Sequence, residues 1–254
     1  MRNMKNSGEI WMGAIPCEWK VGKLKYAAPE KRTVASTNLR FIGLENVESG
    51  TGRLLGYSNE AESNSLLVRS GDVLFGKLRP YLSKTLLVEE EASCSGEFAI
   101  LRACRVEPNY LKYITLDPAF VKQVDVSTYG TKMPRANWSY IGNLLIPIPD
   151  ITEQHAIVSY LDTRCASIGE AISRHRQAID KLEEYRRAII SCVIGGRAEE
   201  VDSSGWTWKR FKFIARVDSN LVEPNKYANW LHIAPDAIGK GNGKLFRFGR
   251  WSSQ

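Results

Sequence analysis

Two short stretches of the sequence combine basic and aromatic side chains with turn-forming residues. Residues 77–84 read KLRPYLSK after an apolar run, and residues 129–135 read YGTKMPR. Because proline and glycine favour turns, we expect both stretches to be loops, the first with the charged heads of Lys77, Arg79 and Lys84 exposed together. Arginine can chelate a guanine edge and lysine can neutralise a phosphate, so such loops suit DNA binding. The candidate DNA-contacting residues are Lys77, Arg79, Tyr81, Lys84, Thr131, Lys132 and Arg135.

The charge distribution favours a polyanionic partner, although weakly. The chain of 254 residues has a formal net charge of +7 and is 43% hydrophobic, enough for a packed core. The positive surplus lies in residues 1–150 and 201–254, whereas residues 151–200 are almost neutral. This pattern fits a nucleic-acid partner for the flanking segments and a protein partner for the middle. Since many basic proteins bind no nucleic acid, loops that only interact with solvent remain the alternative.

Motifs of catalytic and metal sites are scarce. The nearest approach to the Asp/Asn-Pro-Pro-aromatic turn of DNA aminomethyltransferases is DPAF at residues 117–120, which lacks the second proline. The glycine-rich residues 239–244 lack the spacing of a phosphate-binding loop, and we expect a hairpin turn there. The histidines His155, His175 and His232 show no metal-ligand spacing. We therefore expect no catalytic centre, no metal site and no cofactor of the chain's own.

Residues 1–150 have the pattern of a mixed α/β domain with a curved sheet. A helix is predicted over Asn109–Val124, where apolar residues recur at roughly helical spacing. A further apolar, strand-like stretch, Leu144–Ile148, ends at prolines. The segments predicted as strands of the sheet are Leu39–Leu44, Asp72–Gly76, Thr85–Val88 and Glu97–Arg102.

One long helix is predicted for residues 151–196. Thr152 and Glu153 offer a polar start, and Gly195-Gly196 a C-terminal stop. From Leu161 to Val193 the seam positions alternate spacings of four and three, as in a coiled coil, over about 50 Å. An amphipathic helix folded back on its own domain is the alternative. The aliphatic seam residues, which we expect to form a helix interface, are Leu161, Ile168, Ile172, Ile179, Leu182, Ile189 and Val193.

The start of the chain is repeated near its end. Residues 19–24 read WKVGKL and residues 208–213 read WKRFKF, 189 positions later. Residues 41–44 and 230–233 are related by the same offset. With the offset increased by two residues, GTGRL at residues 50–54 aligns with GNGKL at residues 241–245. Internal similarity in this order predicts a second, partial copy of the N-terminal domain over residues 203–254.

The sequence resembles the specificity subunits of type I restriction-modification enzymes. The resemblance rests on IPCEW at residues 15–19, GDVLFGKLRPY at residues 71–81 and IPIPDITEQHAI at residues 146–157, followed by the long helix. It implies a target-recognition domain over residues 1–150 that reads one half of a bipartite site in double-stranded DNA. It also implies a helical spacer that docks a methyltransferase subunit and a restriction subunit, the translocase and nuclease. S-adenosylmethionine, ATP and magnesium would then belong to those partners.

The resemblance leaves several expectations to test. Because the second domain is short and a second helix is missing, we expect a truncated specificity subunit whose helix pairs with another chain, first of all in a homodimer. The N-terminus lacks a secretory signal and no apolar run spans a membrane, so we expect a cytoplasmic protein with no membrane contact. The alternatives are a stand-alone enzyme, a protein-interaction module, and an anti-restriction or regulatory subunit without DNA binding of its own.

Overall fold

A computed structural model provides the fold of the chain. It describes residues 2–35, 39–58, 65–130, 132–198, 202–217, 231–233, 238, 244–245 and 249–250. Two compact units divide the chain, Met1–Ala178 and Ile179–Gln254.

The first unit is built on a four-stranded antiparallel sheet in the order β4-β10-β7-β8. A three-stranded sheet of β5, β9 and β6 and two smaller strand pairs, β1-β2 and β11-β3, complete its strand structure. The strands are β1 Met4–Asn6, β2 Ala14–Pro16, β3 Lys20–Lys23, β4 Glu30–Lys31, β5 Phe41–Ile42, β6 Leu66–Val68, β7 Asp72–Gly76, β8 Thr85–Leu87, β9 Ala92–Cys94, β10 Phe98–Arg102 and β11 Leu145–Ile148.

The central strand β7 is buried on both faces, since alternate residues of a strand point to opposite sides. Val73 and Phe75 belong to a core that the helices cover, whereas Leu74 belongs to a second core against the three-stranded sheet. The predicted strands at Asp72–Gly76, Thr85–Val88 and Glu97–Arg102 are therefore confirmed within one residue at each end. The predicted strand at Leu39–Leu44 is shorter, because only Phe41–Ile42 pair with β9.

Four short helices and the beginning of a long one pack on one side of the four-stranded sheet. They are α1 Leu24–Ala27, α2 Pro108–Leu116, α3 Pro118–Val126, α4 Trp138–Ile141 and α5 Ile151–Ile194. The prediction of a single helix over Asn109–Val124 is wrong, because the segment forms two helices separated at Asp117. Asp117 ends α2 in an extended conformation, and its carboxylate accepts a 2.6 Å hydrogen bond from the Ala119 amide as the N-cap of α3.

Helix α5 confirms the long helix predicted for residues 151–196. Asp150 begins it, since its carboxylate accepts a 2.9 Å hydrogen bond from the amide of Glu153. At the other end Gly196 adopts a positive φ of 65°, and the amide of Arg197 reaches back to the carbonyl of Cys192 at 2.9 Å. This is a Schellman-type stop, which the predicted glycine pair supplies.

The predicted second domain lies largely outside the described residues. In the described part, a short 3-10 turn spans Phe211–Phe213, and strands β12 (Leu231–His232) and β13 (Gly249–Arg250) pair antiparallel. Single β-bridges join Val47 to Leu54 and Ile238 to Leu245. Both residues of the second pair follow those of the first by the same number of positions in the sequence. A repeated domain would place equivalent pairs in this way, and the domain division itself stays a prediction.

Candidate nucleic-acid interface

The two loops predicted from the sequence lie side by side in the structure. We call residues 77–84 and 129–135 together the two-loop surface. The amide of Arg79 donates a 2.7 Å hydrogen bond to the carbonyl of Pro134, and the amide of Ala136 donates one of 2.9 Å to the carbonyl of Lys77. Single β-bridges also join Leu78 and Tyr129 to Arg135. Segments about fifty residues apart in sequence therefore form one continuous surface.

Basic and amphipathic side chains are exposed on this surface. Tyr81 is 53% exposed, and Tyr129 and Met133 are each 61% exposed. Lys132 is exposed too, and no ion-pair partner of its ammonium lies among the residues that the structure describes. An exposed ammonium can bind a phosphate, and tyrosine can donate to phosphate or contact base edges.

The turn that carries Arg79 and Tyr81 is held in an unusual backbone conformation. Arg79 (φ 49°, ψ 62°) and Ser83 (φ 50°, ψ 48°) are left-handed and flank a 3-10 turn at Pro80–Leu82. They are the only non-glycine residues with a positive φ in the described part of the chain. Such conformations cost about 1–3 kcal/mol each and cluster at binding and catalytic sites. The strain therefore agrees with a functional role for this turn.

Lys77 does not contribute its charge to the surface. The residue is 7% exposed, and its ammonium lies 3.5 Å from the carboxylate of Glu30. Burial lowers the pKa of Lys77, an effect that the nearby charge of Glu30 partly offsets. The expectation that the heads of Lys77, Arg79 and Lys84 are exposed together is therefore wrong for Lys77, because its side chain turns inward from the end of β7.

Lys84 is likewise engaged inside the fold. Its ammonium donates hydrogen bonds to the carbonyls of Leu44 at 2.6 Å and Val47 at 2.9 Å. Because two internal carbonyls engage the ammonium, the expectation of an exposed head group is wrong for Lys84 as well. Lys84 is half-buried, as Arg79 is, and Tyr81 is the exposed candidate of the first loop.

The second loop carries one paired and one unpaired basic group. Arg135 is exposed but forms an ion pair with Glu97, the residue just before β10. The sequence offered no sign of this partner, which is 38 residues away. Thr131 lies outside the described residues.

The seam of α5 is exposed in the structure. Leu161 is half-buried, whereas the six later seam residues are exposed, from 37% at Val193 to 66% at Leu182. Aliphatic side chains in a line along a helix are typical of helix–helix contacts. Within the first unit, the exposure of Ile168 and Ile172 argues against a helix folded back on its own domain, because such packing would bury them.

The described part of the chain has neither a metal-binding cluster nor a membrane-spanning helix. It contains no group of three or more His, Cys, Asp or Glu residues that could hold a metal ion. Nor does it contain a helix of the length and apolarity needed to cross a membrane.

Comparison with known proteins gives a consistent result. The chain is 24% identical over 152 residues to the EcoDI specificity subunit of a type I restriction enzyme from Escherichia coli, covering 49% of this chain and 34% of that protein. It is 22% identical over 209 residues to the MjaVIII specificity subunit of a type I restriction enzyme from Methanocaldococcus jannaschii, covering 73% of this chain and 48% of that protein. No protein-family model matches the chain. The chain spans about a third to a half of the length of these relatives.

Solved structures give the same result for the fold. The crystal structure of the HsdS subunit from Thermoanaerobacter tengcongensis superposes with a TM-score of 0.58 at 25% identity, over 70% of this chain and 49% of that one. A second match is a chain from a structure of the type I R-M system that describes its complex assembly and conformational transition. It superposes with a TM-score of 0.59 at 24% identity, over 77% of this chain and 52% of that one. In sequence and in the succession of an α/β domain and a long helix, the chain is thus similar to the specificity subunits of type I restriction enzymes.

Proposed function

We propose that the chain is a DNA-reading subunit of a type I restriction-modification complex, and that its first domain reads one half of a bipartite site. The observation that carries the proposal is the convergence of the two loops on one surface. Backbone hydrogen bonds join the segment of Arg79 to the segment of Lys132 and Arg135, so the two neighbouring loops together carry these three cationic side chains and two exposed tyrosines.

The proposed contacts divide by chemistry. Lys132, exposed and unpaired among the described residues, contacts a phosphate and contributes to affinity at any sequence. Arg79 reads a guanine edge, since a guanidinium fork can donate two parallel hydrogen bonds. Its backbone is held in the left-handed turn, and its guanidinium lies 3.5 Å from the carbonyl of Lys132. Arg135 leaves Glu97 to contact DNA, or Glu97 holds it at the edge of the interface.

The proposed role is non-catalytic. We expect methyl transfer and DNA cleavage to reside in the methyltransferase and restriction subunits, with S-adenosylmethionine, ATP and magnesium bound there. The names of the relatives as specificity subunits support this division of labour. Incubation of the purified chain with DNA and labelled S-adenosylmethionine should give no methylated product, and stoichiometric methylation would contradict the proposal.

The exposed seam of α5 is the proposed assembly surface. Burying each aliphatic seam residue is worth about 1.5–3 kcal/mol, so leaving the whole stripe in water is costly. We propose that a second copy of the chain covers it, antiparallel, and that the methyltransferase subunit docks on the resulting helix pair. A homodimer would present two identical domains and should therefore prefer a palindromic split site.

The direct test measures DNA binding by the purified chain, alone and with its methyltransferase subunit, at several salt concentrations. The variant Tyr81→Ala with Lys132→Ala removes contacts from the two-loop surface. Arg174→Ala, on the exposed part of α5, is the matched control. Weakened binding for the first variant and normal binding for the control support the proposal. Stable assembly with the methyltransferase but no DNA binding would favour a protein-interaction or regulatory subunit.

A further inference from the structure

A buried glutamine fixes the start of the long helix to the first domain. Gln154 is 1% exposed. Its side-chain oxygen accepts a 2.7 Å hydrogen bond from the amide of Glu107, and its side-chain nitrogen donates one of 2.9 Å to the carbonyl of Pro149. Glu107 is itself the N-cap of α2, accepting from the amide of Tyr110 at 2.7 Å. Gln154 therefore joins the first turn of α5 to the first turn of α2.

The neighbouring glutamate fixes the same turn from another side. The indole nitrogen of Trp19 donates a 2.8 Å hydrogen bond to the carboxylate of Glu153, and Arg2 forms an ion pair with it. Trp19 directly precedes β3, which pairs with β11, the strand that leads into α5. The side chain of Glu153 is only 16% exposed. Glu153 therefore connects the helix to the strand pair from which it emerges.

Contacts between α5 and the domain end soon after this point. Val158 packs in the core and the hydroxyl of Tyr113 donates to Asp162. From residue 163 to residue 178 every side chain is exposed or half-buried. The direction in which α5 leaves the domain is thus set by residues 150–162.

We propose that Glu153 and Gln154 are positioning residues that fix this direction and thereby set the distance between DNA half-sites that the protein accepts. The inference rests on the proposed function. From Asp162 to Val193 the helix extends about 46 Å, so a tilt of about 10° at its base moves its far end by about 8 Å. DNA rises about 3.4 Å per base pair, so this displacement corresponds to about two base pairs. An anchor that holds the tilt is therefore needed for a single preferred spacing.

The first experiment tests the anchor without DNA. Spin-labelled non-canonical amino acids at Ser139 and Arg176, both exposed, report the distance between the domain and the helix by electron–electron double resonance. Labelled chains are diluted with unlabelled chain, so that distances within one chain are measured. Glu153→Ala and Gln154→Met should each broaden or shift the distance distribution. Glu170→Ala, an exposed residue of the same helix, should not. Glu153→Ala keeps the test informative if Gln154→Met fails to fold.

The second experiment tests the consequence for DNA. Duplexes carry two inverted copies of the half-site selected by the wild-type chain, separated by spacers that differ by one base pair. Wild-type affinity should fall about tenfold or more one base pair from the optimum, since each base pair also rotates one half-site by about 35°. In Glu153→Ala the fall should shrink to about twofold, with affinity for a single half-site unchanged. A loss of stability alone would not produce this selective change.

The outcomes are distinguishable. Unchanged distance distributions in both variants would overturn the anchor. A broadened distribution together with a sharp, wild-type spacer optimum would overturn its link to half-site spacing. If the wild-type chain binds no DNA, the proposed function fails, and the distance measurement alone decides whether Glu153 and Gln154 fix the helix.

Discussion

Two lysines of the two-loop surface should respond in opposite ways to the same substitution. Lys132 is exposed, whereas the ammonium of Lys84 donates to two internal carbonyls. Methionine preserves much of the length of either side chain and removes the charge. We therefore predict that Lys132→Met weakens DNA binding without affecting folding, and that Lys84→Met does the reverse.

The expected magnitudes follow from these environments. A lost phosphate contact lowers the slope of log affinity against log salt by about one. The ratio of wild-type to Lys132→Met affinity should then shrink about threefold to fourfold between 50 and 200 mM salt. Each hydrogen bond from a charged group is worth about 1.5–3 kcal/mol, and Lys84 makes two. Since the half-buried methionine regains part of this loss through apolar burial, Lys84→Met should cost about 2 kcal/mol. In a domain of this size that loss lowers Tm by about 4–8 °C.

The assay combines fluorescence anisotropy on a labelled duplex, titrated at four salt concentrations, with thermal unfolding of the same preparations. Lys132→Met should change the salt slope and leave Tm within about a degree of the wild type. Lys84→Met should change Tm and leave the slope unaltered. A reduced slope for Lys84→Met with an unchanged Tm would show that the internal hydrogen bonds do not hold this lysine, and would refute the reasoning.

Three further predictions concern stability and assembly. Burial lowers the pKa of Lys77 in the folded state. Just below the usual lysine pKa of about 10.4, the unfolded chain therefore binds more protons than the folded chain. The free energy of unfolding of the wild type, relative to that of Lys77→Met, should rise as pH increases through that window. A flat difference in urea midpoints between pH 8 and 10 would contradict this. Asp72, which is 1% exposed, forms a bidentate ion pair with the partly exposed Arg102 at 2.8 and 2.7 Å. Asp72→Asn breaks this pair and should lower the free energy of unfolding in urea by about 2–4 kcal/mol. A loss below about 1 kcal/mol would show that the pair contributes little to stability. Light scattering should give twice 28.6 kDa for the wild type and 28.6 kDa for Ile172→Glu with Ile179→Glu, and a wild-type monomer at micromolar concentration would exclude the homodimer.

The elements of regular periodicity could be predicted from the sequence. The buried strand at Asp72–Gly76 and the long helix ending at Gly195-Gly196 carry signals that need no tertiary information, namely an apolar run, a seam and a helix stop. The break between α2 and α3 was missed, although Asp117 followed by Pro118 is a local signal for a helix boundary. Periodicity across the break concealed it.

The candidate site could be predicted as a pair of loops but not residue by residue. Proline and glycine mark the turns, yet nothing local states which side of a turn faces the core. Lys77 and Lys84 turn inward because Glu30 and the carbonyls of Leu44 and Val47 lie there, contacts that tertiary structure alone creates. The pairing of Arg135 with Glu97 was invisible for the same reason.

Selection from a library of randomised DNA duplexes is the sharpest test of sequence-specific DNA reading by this chain. The purified chain, alone and with its methyltransferase subunit, is allowed to bind the library, and the retained duplexes are sequenced over several rounds. We predict enrichment of one short motif, present as two inverted copies at a constant spacing when the chain acts as a homodimer. Retention of duplexes with no common motif, by a folded chain whose binding depends only on salt, would contradict it.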